Sequence, residues 1–288
     1  MTEISASMVM KLRKISGQGM MDCKKALEEA NGDTDQAMEI LRKKGLATLS
    51  KRAERETSEG IIVGRISDDR KVGVLAALCC ETDFAAKSDA FIEAAGALGD
   101  YAMACRADDG IENVLETAIN SRMLKDVLTE LVSKTGEKTE VGDFARFRVA
   151  GAGFVSVYVH FNQKVGTMVE IETADDNIAQ ADPVRRTAAD IAMHITATNP
   201  LALDKDGIDS KTLERERAIY AEQVKDKPAN IIDKIVEGKI KKFYAENCLL
   251  EQAFVKDDSK SVRQVLDEAA TQAGGRASIK RYVRFAIG

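Results

Sequence analysis

Two histidines, His160 and His194, and five cysteines, Cys23, Cys79, Cys80, Cys105 and Cys248, are the residues with which this chain could do acid–base, nucleophilic or metal chemistry. Two histidines are too few for a His-rich metal site or the H-E-x-x-H arrangement of a zinc hydrolase. The cysteines form no C-x-x-C pair and their number is odd. The one close pair, Cys79-Cys80, is adjacent, so its side chains would point to opposite faces of a strand. That pattern argues against a disulfide framework or a zinc site and for a reducing compartment. Phosphate-cradling loops are missing too. Gly238-Lys239 has Asp233 where the first glycine of G-x-x-x-x-G-K-[ST] would stand. Gly17-x-Gly19 opens a helix but follows another helix instead of a strand, and Gly151-x-Gly153 reads as a hairpin turn between two strands. A Cys–His nucleophile pair is compatible with the composition, yet no recognisable pattern surrounds any cysteine. The chain reads as one that touches other macromolecules.

The elements that would position such contacts are legible in the apolar spacing. Ser5 or Ser7 can cap a first helix carrying Met8, Val9, Leu12 and Ile15. Ser16-Gly17-Gln18-Gly19 breaks it. A second helix carries Met21, Ala26, Leu27 and Ala30, with Asp22 near its start and Asn31-Gly32 at its end. Asp33 can cap a third, with Ala37, Ile40 and Leu41, expected to stop at Gly45 behind Arg42-Lys43-Lys44. Residues 1–45 thus read as a small three-helix bundle with too little surface to bury alone. The polar stretch 46–58 reads as a linker, with a helix as one option for it.

Beyond it lies an internal repeat. Gly60 to Gly73 aligns without gaps on Gly153 to Gly166, an offset of 93 residues, and Lys71-Val72-Gly73 matches Lys164-Val165-Gly166. Each copy reads as a hairpin with a polar turn, Ser67 to Arg70 in one and His160 to Gln163 in the other. Glu-Thr follows each, as Glu81-Thr82 and Glu172-Thr173, and helical segments come next at Phe91 to Met103 and Val184 to Thr196. Phe144 to Val149 also resembles Tyr282 to Ile287, at an offset of 138 residues set by Arg146 and Arg284. Each half is therefore predicted as strand–strand–helices–strand, an α+β arrangement of helices on an antiparallel three-stranded sheet. Residues 59–150 form the first half, and 151–203 with 247–288 the second. The larger second offset implies an insertion, residues 204–246. There Leu213, Arg217, Tyr220 and Val224, and beyond Lys227-Pro228 Ile232, Val236, Lys239 and Phe243, predict an antiparallel, coiled-coil-like helical hairpin.

The 288 residues are 44% hydrophobic and 31% charged with only 3 prolines, an ordinary globular composition for about two domains. A net charge of −5 is not that of a general polyanion binder, because phosphate affinity follows the number of neutralising cations. Met1 to Lys14 is amphipathic without a continuous apolar segment, which argues against a signal peptide. No apolar run approaches the ~18–20 residues that span a bilayer. A cytoplasmic protein with no membrane contact is expected.

Leu12-Arg13-Lys14-Ile15-Ser16-Gly17-Gln18-Gly19-Met20-Met21-Asp22-Cys23-Lys24-Lys25-Ala26-Leu27 resembles the first signature of translation elongation factor Ts, and Thr82-Asp83-Phe84-Ala85-Ala86-Lys87 its second. Tyr158-x-His160 before Lys164-Val165-Gly166, Ala192-Met193-His194 to Asn199-Pro200, and Ile235 to Phe243 are similar to further family motifs in the same order. The resemblance covers nearly the whole chain. It implies a UBA-like three-helix N-terminal domain, a duplicated α+β core and a helical hairpin inserted in the second half. It also implies nucleotide exchange: such a protein binds elongation factor Tu in its GDP-bound and nucleotide-free forms, dislocates the Mg²⁺, speeds GDP release and makes no covalent bond. No cofactor or metal of its own is implied.

On that resemblance Thr82, Asp83, Phe84 and Ala85 make the intrusion, with Phe84 as an apolar wedge and Asp83 accepting hydrogen bonds. From the pattern alone the same residues read as a helix start, with Thr82 or Asp83 as N-cap and Phe84 in the core. Further contacts implied by the resemblance are His160, Thr135 and Gly136, and in the bundle Leu12, Arg13, Met20, Met21, Lys24 and Lys25. The family often has Ile where Thr135 stands, and Met21 also fits a core position. Whether the helical hairpin meets the partner or a second copy, as a homodimer, stays open. The runner-up reading is an RNA- or ribosome-binding module built on Arg276, Lys280, Arg281 and Arg284 beside Tyr282 and Phe285. A third is a cysteine-dependent enzyme.

Overall fold

The computed structural model describes the backbone of residues 4–288 and the side chains of all of these but residues 49, 229 and 230. Residues 1–3 of the amphipathic start, on which the signal-peptide reading partly rests, lie outside the described residues. Helix α1 (Ala6–Ser16) is capped by Ser5, whose hydroxyl accepts the Met8 N–H, and ends at Gly17 with φ +68°. Helices α2 (Met20–Glu29) and α3 (Thr34–Lys51) complete the bundle, with Asp33 Oδ1 accepting the Asp35 and Gln36 N–H groups at 2.9 Å each. Val9, Leu12, Cys23, Ala26, Leu27, Ala30, Ala37 and Leu41 form its core. Ile15 and Met21, expected on the apolar faces, are exposed. Nor does α3 stop at Gly45: it runs six residues further, to Lys51. A Cβ at Gly45 would lie 2.7 Å from the Thr129 carbonyl, so this glycine marks a close helix–helix approach, not a terminus.

The first half of the core runs β1 (Glu59–Ile66), β2 (Val72–Cys80), α4 (Asp83–Ala86), α5 (Asp89–Ala104), α6 (Ile111–Leu115), a small hairpin of β3 (Ala118–Ile119) and β4 (Arg122–Met123), α7 (Leu124–Thr135) and β5 (Thr139–Arg148). The second runs β6 (Gly153–Val159), β7 (Val165–Thr173), α8 (Asp176–Gln180) and α9 (Asp182–Thr198). After the inserted α10 (Ser210–Glu222) and α11 (Ala229–Asn247) it resumes with β8 (Ala253–Phe254), β9 (Asp257–Ser261), α12 (Val262–Gln272) and β10 (Ala277–Ala286). Both three-stranded sheets are antiparallel, in the orders β1-β2-β5 and β6-β7-β10.

The duplication extends to irregular backbone. Gly60 and Gly153 both sit at strongly positive φ, where a Cβ would collide with the Leu78 and Ile171 carbonyls respectively. Arg70 and Gln163 take left-handed conformations, φ +58° and +56°, in the two hairpin turns. The third strands share a bulge: pairing skips Gly142 in β5 and Lys280 in β10. One sequence match is displaced. Glu172-Thr173 lies inside β7, opposite Gly153 and Ala277, so the structural counterparts of Glu81-Thr82 are Ala174-Asp175 at the unchanged offset. A shared dipeptide had shifted the alignment by two residues; strand register holds it in place.

The sheets stack face to face with helices outside. Val74, Ala76 and Leu78 of β2 pack on α5 and α7, Val169 and Ile171 of β7 pack on α9 and α12, and Ile62, Leu75, Phe147, Val155 and Met168 fill the space between sheets. Gly64 and Gly73 permit that approach, because a Cβ on either would stand 2.5 Å from a valine methyl of β6. The hydrogen bonds joining the halves are reciprocal. Ile62 N–H donates to Gln163 O and Val155 N–H to Arg70 O, both at 2.8 Å. Within each half an equivalent bond recurs, Val149 N–H donating to Lys71 O at 2.8 Å in the first and Ile287 N–H to Lys164 O at 2.9 Å in the second. Reciprocity of this kind is the mark of a two-fold relation. The inserted α10 and α11 pack against each other, with Lys239 5.3 Å above the Tyr220 ring, and return to their point of departure where Leu249 N–H donates to Ala202 O.

Candidate partner-binding site

Strand β2 ends at Cys80 and the chain turns through Glu81 and Thr82 into the single turn of α4. Thr82 is extended, and as N-cap its hydroxyl oxygen accepts the Ala85 N–H at 3.2 Å. The same hydroxyl donates to Glu137 Oε1 at 2.8 Å, and the Thr82 N–H donates to Glu137 Oε2 at 3.1 Å. Glu81 is tied down as firmly. Its carboxylate accepts two hydrogen bonds from Arg52 Nη1, at 2.7 and 2.8 Å, and one from the Lys138 N–H at 2.6 Å. Burial alone would raise the Glu81 carboxyl, but these donors outweigh it and hold it below the usual range. Glu137 comes from the turn closing α7, where Gly136 takes φ +71° and the Thr135 hydroxyl donates to Leu131 O at 3.0 Å. Two carboxylates therefore staple the loop to the body of the first half.

A helix this short has one inward face, and Ala85 and Ala86 occupy it, both buried in the first core. Thr82 is the N-cap, as the pattern suggested, but Phe84 does not enter the core: it is 83% exposed. Ala85 belongs to the packing side, so its side chain is withdrawn from any contact surface. Asp83 is half-exposed and accepts from Lys87 Nζ at 2.7 Å, which holds its carboxyl below the ordinary value.

The turn of the second hairpin lies at the same end of β1. Gln163 O receives the Ile62 N–H, Lys164 pairs with Glu59, and Glu59 stands opposite Cys80 in the β1–β2 ladder. His160 is half-buried in this turn, with Nδ1 3.0 Å from the Tyr158 hydroxyl and its ring 4.3 Å from that of Phe161. Phe161 itself is 88% exposed. Thr135 and Gly136 reach the loop through Glu137. The bundle residues stand apart, on α1 and α2, while the bundle meets the core along α3 and α7, with Ser133 Oγ donating to Leu41 O at 3.0 Å and an Arg42–Asp126 ion pair. Arg13, Met20, Met21, Lys24 and Lys25 are exposed. Leu12 is fully buried and serves the bundle's own core.

Comparison with known proteins gives the family. A family profile described as Elongation factor TS matches residues 81–288, from the stapled loop through the second core half. A protein named Elongation factor Ts from a Nitratiruptor species is 42% identical over 287 residues, 99% of this chain and 93% of that protein. Proteins of the same name from Clostridium perfringens and Clostridium botulinum are each 40% identical with the same coverage. The chain belongs to the elongation factor Ts family. It is thus a translation elongation factor, part of protein biosynthesis.

All five cysteines are buried. Burial, with Asp143 and Glu140 nearby, pushes the Cys79 thiol up to about 11; burial and Glu137 push Cys80 up to about 12. Such thiols stay protonated at neutral pH and are poor nucleophiles. His194 is a satisfied core histidine: Nδ1 accepts the Val255 N–H at 3.2 Å, leaving Nε2 to donate to Gln252 Oε1 at 2.8 Å, and burial lowers its pKa. Among the described residues no group of three or more His, Cys, Asp or Glu is placed to hold a metal ion, and no helix is long and apolar enough to cross a membrane. The basic strand is engaged internally. Lys280 pairs with Glu172 at 2.9 Å, Arg281 pairs with Glu170 at 2.7 Å and lies 4.1 Å over the Phe147 ring, and the Tyr282 hydroxyl donates to Pro200 O.

Sequence reasoning passed over Glu137 as the brace of Thr82, since 55 residues separate them and no local pattern links them. It also passed over Phe161. Position-by-position comparison of the repeat carries the signal, because Phe161 falls opposite Asp68 in an otherwise polar turn.

Proposed function

We propose that this protein is a guanine-nucleotide exchange factor for elongation factor Tu, binding the GDP-bound form, disturbing its Mg²⁺ and releasing GDP so that GTP can enter. The observation that supports this reading is Phe84: a large apolar side chain held in water on a turn that two carboxylates keep from yielding. A flexible loop would lose its binding energy in ordering itself; a stapled one delivers it to the partner.

Exchange is negative coupling. If the factor weakens GDP binding, GDP weakens the factor's binding by the same ratio, so the factor must prefer the empty GTPase. The partner's Mg²⁺ is the sensitive point, since it demands near-ideal octahedral geometry and bridges protein to phosphates. In this reading Phe84 enters an apolar gap beside that cation's supports and Asp83 accepts hydrogen bonds that set the entry angle. Thr82 holds both in place, and no covalent bond is made or broken on this chain. Burying one Phe supplies roughly 1.5–3 kcal/mol, one to two decades in affinity. A broader interface must supply the rest, and we assign it to His160, Gly136 and the exposed Arg13, Met20, Met21 and Lys24 of the bundle, which we read as UBA-like. The cytoplasm, where the partner works, is the proposed location.

Stopped-flow release of a fluorescent GDP analogue from elongation factor Tu tests this directly. Release is expected to accelerate with increasing concentration of this protein and to saturate; release indifferent to its presence would overturn the reading.

A further inference from the structure

Of the nine phenylalanines, all within the described residues, only Phe84 and Phe161 are exposed. Both lie at one end of the sandwich, on either side of Glu59. That carboxylate pairs with Lys164 of the second hairpin, and it also raises Lys87 of the Phe84 turn, after the larger effect of Asp83. The two-fold relation supplies a control within the same molecule. At the opposite end the counterpart of Phe84 is Asn177 and that of Phe161 is Asp68, and Lys71 of that turn pairs with Asp176 at 2.9 Å. One scaffold thus carries two equivalent ends, one aromatic and one polar. Sheet packing cannot be the cause, because the outward residues of both ends lie outside the cores.

We propose that Phe161 is a second aromatic anchor for the same GTPase, adding affinity beside the Phe84 wedge; this rests on the exchange reading above. The ring is held ready for contact. It leans on His160 at 4.3 Å with 49° between planes, His160 is held by the Tyr158 hydroxyl, and the turn is fixed by Gln163 O on β1 and by Asn162 Oδ1 accepting the Lys164 N–H at 3.0 Å. A pre-ordered aromatic surrenders little entropy on docking and covers a large apolar area, which is why such residues serve as interface anchors. The site it meets is an apolar patch contiguous with the gap that takes Phe84.

The test uses the full chain and elongation factor Tu. Phe161→Ala is expected to bind the nucleotide-free partner about ten-fold more weakly, the lower end of what burying a Phe supplies. It should leave the limiting GDP release rate at saturation near the parent value, and Phe161→Leu should recover most of the affinity. The thermal midpoint of Phe161→Ala should match the parent's, since the ring is outside the core. Binding of Phe161→Ala within two-fold of the parent would overturn the anchor while leaving the exchange reading intact. A parent protein that fails to accelerate GDP release would overturn both.

Discussion

Residues 82–86 and 175–179 are the same piece of structure used twice. In each a polar residue caps a short helix, Thr82 for α4 and Asp175 for α8, and in each the fourth and fifth residues turn inward, Ala85-Ala86 in one and Ile178-Ala179 in the other. They part at the third residue, which faces water in both: Phe84 against Asn177. Inward positions answer to packing, and packing is common to the two halves. Outward positions answer to whatever lies beyond the surface, and only one end of the molecule has been given something apolar to offer. The bracing differs in the same sense. Thr82 has Glu137 behind it, whereas Asp175 Oδ1 is used only by its own helix, accepting the Asn177 and Ile178 N–H groups.

The comparison can be broken first through what the halves share. Gly60→Ala and Gly153→Ala should each lose about 2–4 kcal/mol in urea unfolding, because both force a Cβ onto a carbonyl at positive φ. Clearly unequal losses would show that the two backbones are not equivalent. The outward residues should behave oppositely to each other. Phe84→Ala is expected to slow catalysed GDP release about ten- to a hundred-fold with the fold intact, while Asn177→Ala changes nothing in the same stopped-flow assay. Equal behaviour of the pair would remove the functional distinction between the ends.

Smaller effects sharpen the picture. Glu137→Ala removes the charged acceptor of both Thr82 bonds and should cost about 1–3 kcal/mol of local order. Hydrogen exchange would show it as lost protection at residues 82–86, with residues 175–179 unchanged and GDP release slowed several-fold. Stability should also fall at both ends of the pH scale. Buried His194 in the second half has a lowered pKa, so below its ordinary value near 6.5 the unfolded chain takes up a proton that the native state resists, and stability falls with pH. In the first half Cys79 and Cys80 are raised to about 11 and 12, so from about 9 upward the unfolded chain gives up protons first and stability falls as pH rises. Urea unfolding across pH 5 to 10 checks both arms, and His194→Gln should flatten the acid one.

Much of the fold was legible because regular elements are written locally. Hairpin turns, strand alternation, caps at Ser5 and Asp33 and the repeat offset depend on residues a few positions apart, and the offsets of 93 and 138 residues hold through every strand of the two sheets. Errors arose where a residue answers to something distant. Gly45 looks like a helix stop until α7 is seen against it, and Glu172-Thr173 looks like a counterpart of Glu81-Thr82 until strand register displaces it. Ile15 and Met21 fit an apolar face by spacing, yet three short helices enclose too little volume to cover them.

By itself, then, the chain determined its mixed helix-and-sheet class and the repeat offsets that relate its strands, since composition and short-range periodicity suffice for these. Tertiary structure alone decided between the wedge and core readings of Phe84, which is exposed, and showed that Glu137 reaches back to hold Thr82. Both outcomes depend on packing inside the first half, α4 against its core and the turn after α7 behind it, a relation between residues dozens of positions apart that no local pattern carries.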